Sequence, residues 1–337
     1  MQPKYITSGN SPMTTRLFRR AARLTVWTAL TAFVTSGFLR LGAEPDKTTA
    51  ANADGPLVQV VLTATAKHNQ TPEPLRQGDV LVYKGHNRLP VVDLKPAQGA
   101  QAGLDLLILI DDALDSAINT SLGDLRDFIH FLQPTTRVAI AYTRNGSASL
   151  DQDFTTDHEQ AAKALRMPLG SYGTFTSPYL SVIDWIKRLT ETGNRREILL
   201  ISDGIDYFRG SFGTYSPDLQ PAVELAQRNG IVIYTIYARG VGRINRNSFL
   251  IMNAQGGLTQ LAQSTGGEAF VEGINSTPIS LRPYLEELSK MLGQQYLLAF
   301  RAAPVKKDRH EHFKFTTEVQ VLVPVLLDGC RSESQQV

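Results

Sequence analysis

Leu104 to Ile110 reads LDLLILI and runs directly into Asp111 and Asp112. A nearly continuous apolar run of this length suits a strand buried on both faces, the situation in a parallel sheet with helices above and below it. Leu122, Leu125, Phe128, Ile129 and Leu132 then recur at helical spacing, so the unit is a strand followed by a helix.

The same unit repeats along the chain. Arg137 to Tyr142 (RVAIAY), Glu197 to Ser202 (EILLIS), Ile231 to Tyr237 (IVIYTIY) and Glu268 to Val271 read as further strands. Thr155 to Leu165, Pro178 to Leu189, Pro221 to Asn229, Leu258 to Ser264 and Pro283 to Leu292 read as helices. Pro178 suits a first helical turn, and Gly230 suits the position just past a helix end. Alternation of this kind predicts an α/β fold, a doubly wound and mostly parallel sheet, because parallel neighbours require crossovers and helices supply them.

On either side lie shorter runs rich in β-branched residues: Leu57 to Ala66, Asp79 to Tyr83 and Leu89 to Leu94 before the α/β unit, Gln295 to Arg301 and Phe313 to Val323 after it. They are expected to pair into one small β module, each covering edges the others would expose. The expected organisation is a targeting segment at 1–43, a polar linker at 44–55, an N-terminal β segment at 56–100, the α/β domain at 101–293, a C-terminal β segment at 294–327 and a polar tail at 328–337.

Residues 1–43 carry Lys4, Arg16, Arg19, Arg20, Arg23 and Arg40 and no acid, and the sixteen residues from Leu24 to Leu39 are uncharged. A basic region, an apolar stretch and small residues near Gly42 and Ala43 form the pattern of an export signal, with an uncleaved N-terminal anchor as the alternative. The expected location is periplasmic or secreted, with membrane attachment only through this segment. Losing those six basic residues turns the formal charge of +2 into −4, which gives no general attraction to nucleic acid. Hydrophobic residues make up 42% of the 337, enough for a sizeable core, and the single cysteine, Cys330, excludes an intramolecular disulfide or a cysteine-based metal cluster.

In an open α/β sheet, ligands sit beyond the C-terminal ends of the strands. The first strand ends in Asp111-Asp112-Ala113-Leu114-Asp115 and the EILLIS strand in Ser202-Asp203-Gly204, while Gly173-Thr174-Phe175-Thr176-Ser177-Pro178 precedes a helix. Asp111 and Asp203 on neighbouring strands would share one crevice, where a hard divalent cation allows both to stay ionised. Taken singly, Asp111 and Asp112 read as strand-ending turn residues and Asp203-Gly204 as an ordinary turn pair.

The order and spacing of LLILIDD at 106–112, RVAIAY, FTTDHEQAAKAL, ILLISDG at 198–204, IVIYTIY, LTQLAQSTGGEAFV at 258–271 and YLLAF at 296–300 resemble a von Willebrand factor type A domain. The resemblance spans about residues 57–322 and is to the exported family of such domains frequent in acidobacteria. It implies a metal-ion-dependent adhesion site for Mg²⁺, Mn²⁺ or Ca²⁺, built from Asp-x-Ser-x-Ser, a threonine before a helix and a late aspartate. Carried over, Asp111 matches the leading aspartate, Asp203 the late one, and Thr176 the threonine, with Thr174 as its alternative. The two serine positions are Ala113, which cannot ligate, and Asp115, which offers an oxygen but adds a charge. The resemblance therefore leaves a working and a degenerate site both open.

Two long loops are expected on the same side of the sheet, Ile205 to Pro217 with Tyr207, Phe208, Arg209, Phe212 and Tyr215, and Arg239 to Gly257 with Arg239, Arg243, Arg246 and Phe249. Aromatic and arginine side chains dominate protein hot spots. Asp112, Thr174, Tyr207, Arg209, Tyr215, Arg243 and Arg246 are therefore the candidate contacts for a protein ligand. The expected function is non-enzymatic protein binding or adhesion; the alternative is a metal-dependent hydrolase or phosphotransferase using the same acidic crevice. Against that alternative, no lysine lies near a core strand end, and there is neither a Gly-x-Ser-x-Gly elbow nor a phosphate-cradling glycine loop. His310-Glu311-His312 has ligand-like spacing within a charged stretch that reads as a solvated turn.

Overall fold

The LDLLILI run forms the middle of a six-stranded sheet. In the computed structural model, residues 55–65, 72–84, 86–170, 175–190, 192–208, 216–242, 247–271, 280–302, 313–316 and 321–322 are described. The targeting segment, most of the linker, Cys330, His310-Glu311-His312 and the polar tail lie outside them. Among the described residues, no helix is long and apolar enough to cross a membrane.

Strands are numbered in chain order. The N-terminal β segment contributes β1 (Leu57–Ala64), β2 (Leu81–Lys84), β3 (Asn87–Leu89) and β4 (Val91–Pro96). The α/β domain follows with β5 (Leu104–Asp111), α1 (Leu122–Phe131), β6 (Thr136–Arg144), β7 (Ser147–Thr155), α2 (His158–Lys163), α3 (Pro178–Arg188) and β8 (Arg195–Ser202). It continues with α4 (Leu219–Arg228), β9 (Ile231–Tyr237), α5 (Ser248–Ser264), β10 (Ala269–Phe270) and α6 (Arg282–Gly293), and the C-terminal segment adds β11 (Gln295–Arg301), β12 (Phe313–Thr316) and β13 (Val321–Leu322).

Every residue of β5 is buried, and its side chains divide by parity. Leu106, Ile108 and Ile110 pack with Leu125, Phe128 and Ile129 of α1 and Leu285, Leu288 and Met291 of α6. Leu107 and Leu109 pack on the other face with Val182 and Trp185 of α3, Val223 of α4 and Leu258 and Leu261 of α5. Period-two alternation thus feeds two apolar layers at once, which is why a central strand shows no polar face in the sequence.

The sheet order is β10-β9-β8-β5-β6-β7. From β5 the chain steps outward to β6 and β7, then returns to place β8 on the other side of β5 and continues to β9 and β10. The order therefore reverses between β5 and β8, the point at which a crevice opens beyond the strand ends. Pairs β5–β6, β5–β8, β8–β9 and β9–β10 are parallel, whereas β6 and β7 are antiparallel.

Two elements differ from the sequence expectation. Residues 147–155 form the edge strand β7, mostly polar because much of it faces solvent, joined to β6 by Asn145-Gly146 with φ of 51° and 64°. Two successive left-handed residues of the Asn-Gly type make the tight hairpin turn, and the helix expected from Thr155 accordingly begins at His158. The helix expected over Leu258 to Ser264 runs instead from Ser248, so half of the expected loop at 239–257 is helical. Gly256-Gly257 masked it. Gly257 sits in that helix because a Cβ there would lie 2.4 Å from the Tyr179 hydroxyl, which reaches past it to the Gly204 carbonyl at 3.3 Å.

The flanking segments join through β1 and β11, antiparallel from Leu57↔Arg301 to Thr63↔Gln295, within a sheet ordered β13-β1-β11-β4. A second sheet, β12-β2-β3, covers it. Val58, Val60, Leu62, Leu298 and Phe300 from the first meet Val80, Val82 and Leu89 around the second, giving the module its own core.

Candidate functional site

Parallel register brings a row of polar side chains to the top of four adjacent strands. Asp111 is opposite Thr143 on β6, and Ser202 on β8 is opposite Tyr237 on β9. Ser202 Oγ donates to Asp111 Oδ2 at 2.7 Å, Thr143 Oγ1 donates to Oδ1 at 2.9 Å, and the Ala113 amide donates to Oδ1 at 3.0 Å. Asp203 follows one residue above the row. Its Oδ1 accepts the Ile205 amide at 2.9 Å and its Oδ2 the Tyr207 hydroxyl at 2.8 Å.

Asp111 and Asp203 thus stand at the ends of neighbouring strands at the β5/β8 switch point, with both carboxylates fully buried. Burial pushes the Asp111 carboxyl above its ordinary value, against the opposing pull of the Ala113 amide and the hydroxyls of Ser202, Thr143 and Thr176. Thr176 is itself buried, and its Oγ1, though near enough to act on Asp111, makes no bond of ordinary hydrogen-bond geometry. Burial, and after it the charge of Asp203, also pushes the Tyr237 hydroxyl up.

The remaining expected site residues have other employment. The Asp112 carboxylate is buried under Arg166, which bonds it with two nitrogens at 2.7 and 3.0 Å, and the Leu169 amide adds a third bond at 3.2 Å. It faces inward, not toward a ligand. Asp115 caps a 3-10 helix at Ser116–Ser121, accepting the Ala117 amide at 2.9 Å, while its own amide donates to the Arg239 carbonyl at 2.9 Å. Tyr207 is 5% exposed, so its ring lies in the protein rather than on the rim. Its amide donates to the Thr176 carbonyl at 2.8 Å and its hydroxyl holds Asp203, tying together the two loops. Thr174, Arg209, Tyr215, Arg243 and Arg246 lie outside the described residues.

A divalent cation of the expected kind takes six or more oxygens. The donors here do not suit it. Ala113 is buried among Ile205, Tyr207 and Ala254, an apolar cluster where a serine hydroxyl would be needed. The segment is pinned there by the Val241 amide donating to the Ala113 carbonyl at 2.9 Å. Both oxygens of Asp111 and of Asp203 already accept bonds from the chain, while the hydroxyls of Thr176 and Tyr237 lack a partner in ordinary hydrogen-bond geometry. Among the described residues, no group of three or more His, Cys, Asp or Glu is arranged to hold a metal.

Thr143, Ser202, Tyr237 and Arg166 were not anticipated from the sequence. Ser202 and Tyr237 end their strands and Thr143 stands one residue before the end of β6, so the rule that points to Asp111 applies to them as well; the partnership of Arg166 with Asp112 leaves no local signal.

Among the described residues, several large apolar side chains near this crevice are exposed. Leu169 is 52% exposed, Phe175 55%, Phe208 46%, Phe249 56% and Met252 52%. Phe175 and Phe208 flank Thr176: the Phe208 amide donates to the Thr176 carbonyl, and the Phe175 carbonyl accepts the Gly146 amide at the β6–β7 turn. Phe175 has φ of 43°, a left-handed backbone that bulky residues rarely adopt. Leu169 is placed by its backbone N–H, which donates to Asp112 Oδ1. Phe249 and Met252 share a face of the first turns of α5, which starts at this end because it follows the upper end of β9.

Neither a family model nor a curated protein sequence matches the chain. Solved structures similar to it include an aerotolerance-related membrane protein from Bacteroides fragilis, 12% identical over 56% of this chain and 98% of that one, with a TM-score of 0.41. A von Willebrand factor type A protein from Catenulispora acidiphila is 10% identical over 81% of this chain and 74% of that one, with a TM-score of 0.38. The ArnB paralog VWA2 from Sulfolobus acidocaldarius is 12% identical over 80% and 76%, with a TM-score of 0.34.

Proposed function

We propose that this chain is an exported, non-enzymatic binding module of the von Willebrand factor type A kind, which takes a protein partner on the rim above β5 and β8. The observation that carries this reading is the set of exposed apolar side chains, Leu169, Phe175, Phe208, Phe249 and Met252, gathered around one end of the sheet. Large apolar groups concentrated at one place on a surface are costly in water and mark a contact region. The strained backbone at Phe175 supports the same reading, because such strain persists where a side chain must be presented in a set direction. The strand order, the switch point and the sequence motifs that led to them support the family. The basic and apolar leader supports export.

A hydrolase or phosphotransferase needs a nucleophile or base that meets its substrate. Asp111, Asp112, Ser202 and Asp203 are all fully buried and bonded within the chain, which favours binding over turnover. The test is capture from envelope extract by the mature chain and by the variant carrying Phe175→Ser and Phe208→Ser. A partner retained by the first and lost by the second, with unchanged thermal unfolding, is the expected result. Phosphoester turnover that disappears in Asp111→Asn would overturn it.

A further inference from the structure

We infer that the acidic crevice between β5 and β8 is closed to divalent cations by the chain's own side chains, so that this rim works without an ion. Three observations converge on it. The Ala113 methyl occupies the place where an oxygen would be required, and it is buried against Ile205, Tyr207 and Ala254. Asp115, at the second such position, spends Oδ1 on the Ala117 amide, and its own backbone is fixed by the Arg239 carbonyl. Tyr207 then bridges the crevice, with its amide on the Thr176 carbonyl at 2.8 Å and its hydroxyl on Asp203 Oδ2 at 2.8 Å.

An ion entering would compete with bonds that are already made. Asp111 accepts from two hydroxyls and one amide, and Asp203 from one hydroxyl and one amide. A carboxylate already bonded in this way gains less from a cation that itself must shed water than an unbonded one would. The hydroxyls left over, those of Thr176 and Tyr237, are neutral groups that water can satisfy.

The seal is testable on the whole chain with Mn²⁺ as the probe, read by calorimetry and by the loss of the free-ion electron paramagnetic resonance signal. Wild type is expected to show no saturable uptake at millimolar Mn²⁺. The triple variant Ala113→Ser, Asp115→Ser, Tyr207→Phe supplies two hydroxyls and removes the Tyr207 hydroxyl from Asp203, and it is expected to take up one equivalent at least about tenfold more tightly than wild type. Serine at 115 still caps the following 3-10 helix, and circular dichroism with thermal unfolding establishes that the variant is folded. One equivalent bound by wild type and lost in Asp111→Asn overturns the inference. So does a folded triple variant as inert as wild type, because the closure would then not reside in these three side chains. Neither readout depends on the identity of any partner.

Discussion

Arg166 closes on Asp112 with both terminal nitrogens, Nη1 to Oδ1 at 2.7 Å and Nη2 to Oδ2 at 3.0 Å, while its guanidinium lies 3.6 Å from the Tyr142 ring centre. Its Nε bonds Asp151 at 2.8 Å, and the Tyr142 hydroxyl exchanges two bonds with the Arg166 backbone. One side chain thereby neutralises a fully buried carboxylate and fastens the segment that carries Leu169 to the rim.

Arg166→Ala leaves Asp112 buried and unpaired, and the expected loss is about 3–5 kcal/mol, the scale for breaking one half of a buried ion pair. Arg166→Lys keeps the charge but loses the two-pronged bond and the flat stacking, so it should fall between wild type and alanine. Urea unfolding checks this: the midpoint should drop in the order wild type, lysine, alanine with an unchanged slope. An alanine midpoint equal to that of wild type would show that Asp112 does not depend on Arg166.

How much of this was legible in the sequence follows from the range of each interaction. LDLLILI announced a central strand because burial on both faces removes every polar constraint, and register then obliges neighbouring parallel strands to end on one rim. Asp111 and Asp203 were found by that rule alone. The polar edge strand β7 was not, since Ser147 to Thr155 has no apolar run, although Asn145-Gly146 advertised the turn before it. Tyr207 reads as a contact residue because aromatic side chains in loops often are; in the fold its hydroxyl turns inward to Asp203, a contact across the loop that no local pattern announces. Asp112 and Arg166 are 54 residues apart, and nothing local joins them.

The start of α6 is held from outside itself. Leu281 precedes the helix and has no capping side chain, so Asp124 of α1 takes the role: its Oδ2 accepts the Ser280 hydroxyl at 2.6 Å and the amides of Leu281 and Arg282 at 3.0 and 3.3 Å. Burial favours the neutral acid, but those bonds and the Arg282 charge outweigh it and hold the Asp124 carboxyl below its ordinary value. The native chain therefore binds this proton less readily than the unfolded one. The stabilisation is present in full above the unfolded value, near pH 4, and is lost as pH falls through the lower native value. Asp124→Asn should lose about 1–2 kcal/mol at neutral pH and show a shallower fall in stability below about pH 4, read from thermal unfolding at a series of pH values.

At the other end of β8 the sign reverses. Glu197 is 1% exposed, set in register between Leu106 of β5 and Val232 of β9, and neither of its oxygens has a partner in ordinary hydrogen-bond geometry. Burial pushes its carboxyl up, and the charge of Arg195, with smaller help from Gln295 and Tyr234, offsets this only in part. The native chain holds this proton more tightly than the unfolded one, so Glu197 contributes its stability in full below the ordinary glutamate value of 4.5. That contribution disappears as pH rises through the native value. Glu197→Gln keeps the shape and cannot ionise, so at neutral pH it should be more stable than wild type by about 1 kcal/mol or more. Urea midpoints between about pH 4.5 and 7.5 should fall for wild type and stay level for the variant, apart from changes common to both. Parallel curves for the two proteins would assign the pH dependence to another group and leave Glu197 ionised in the core.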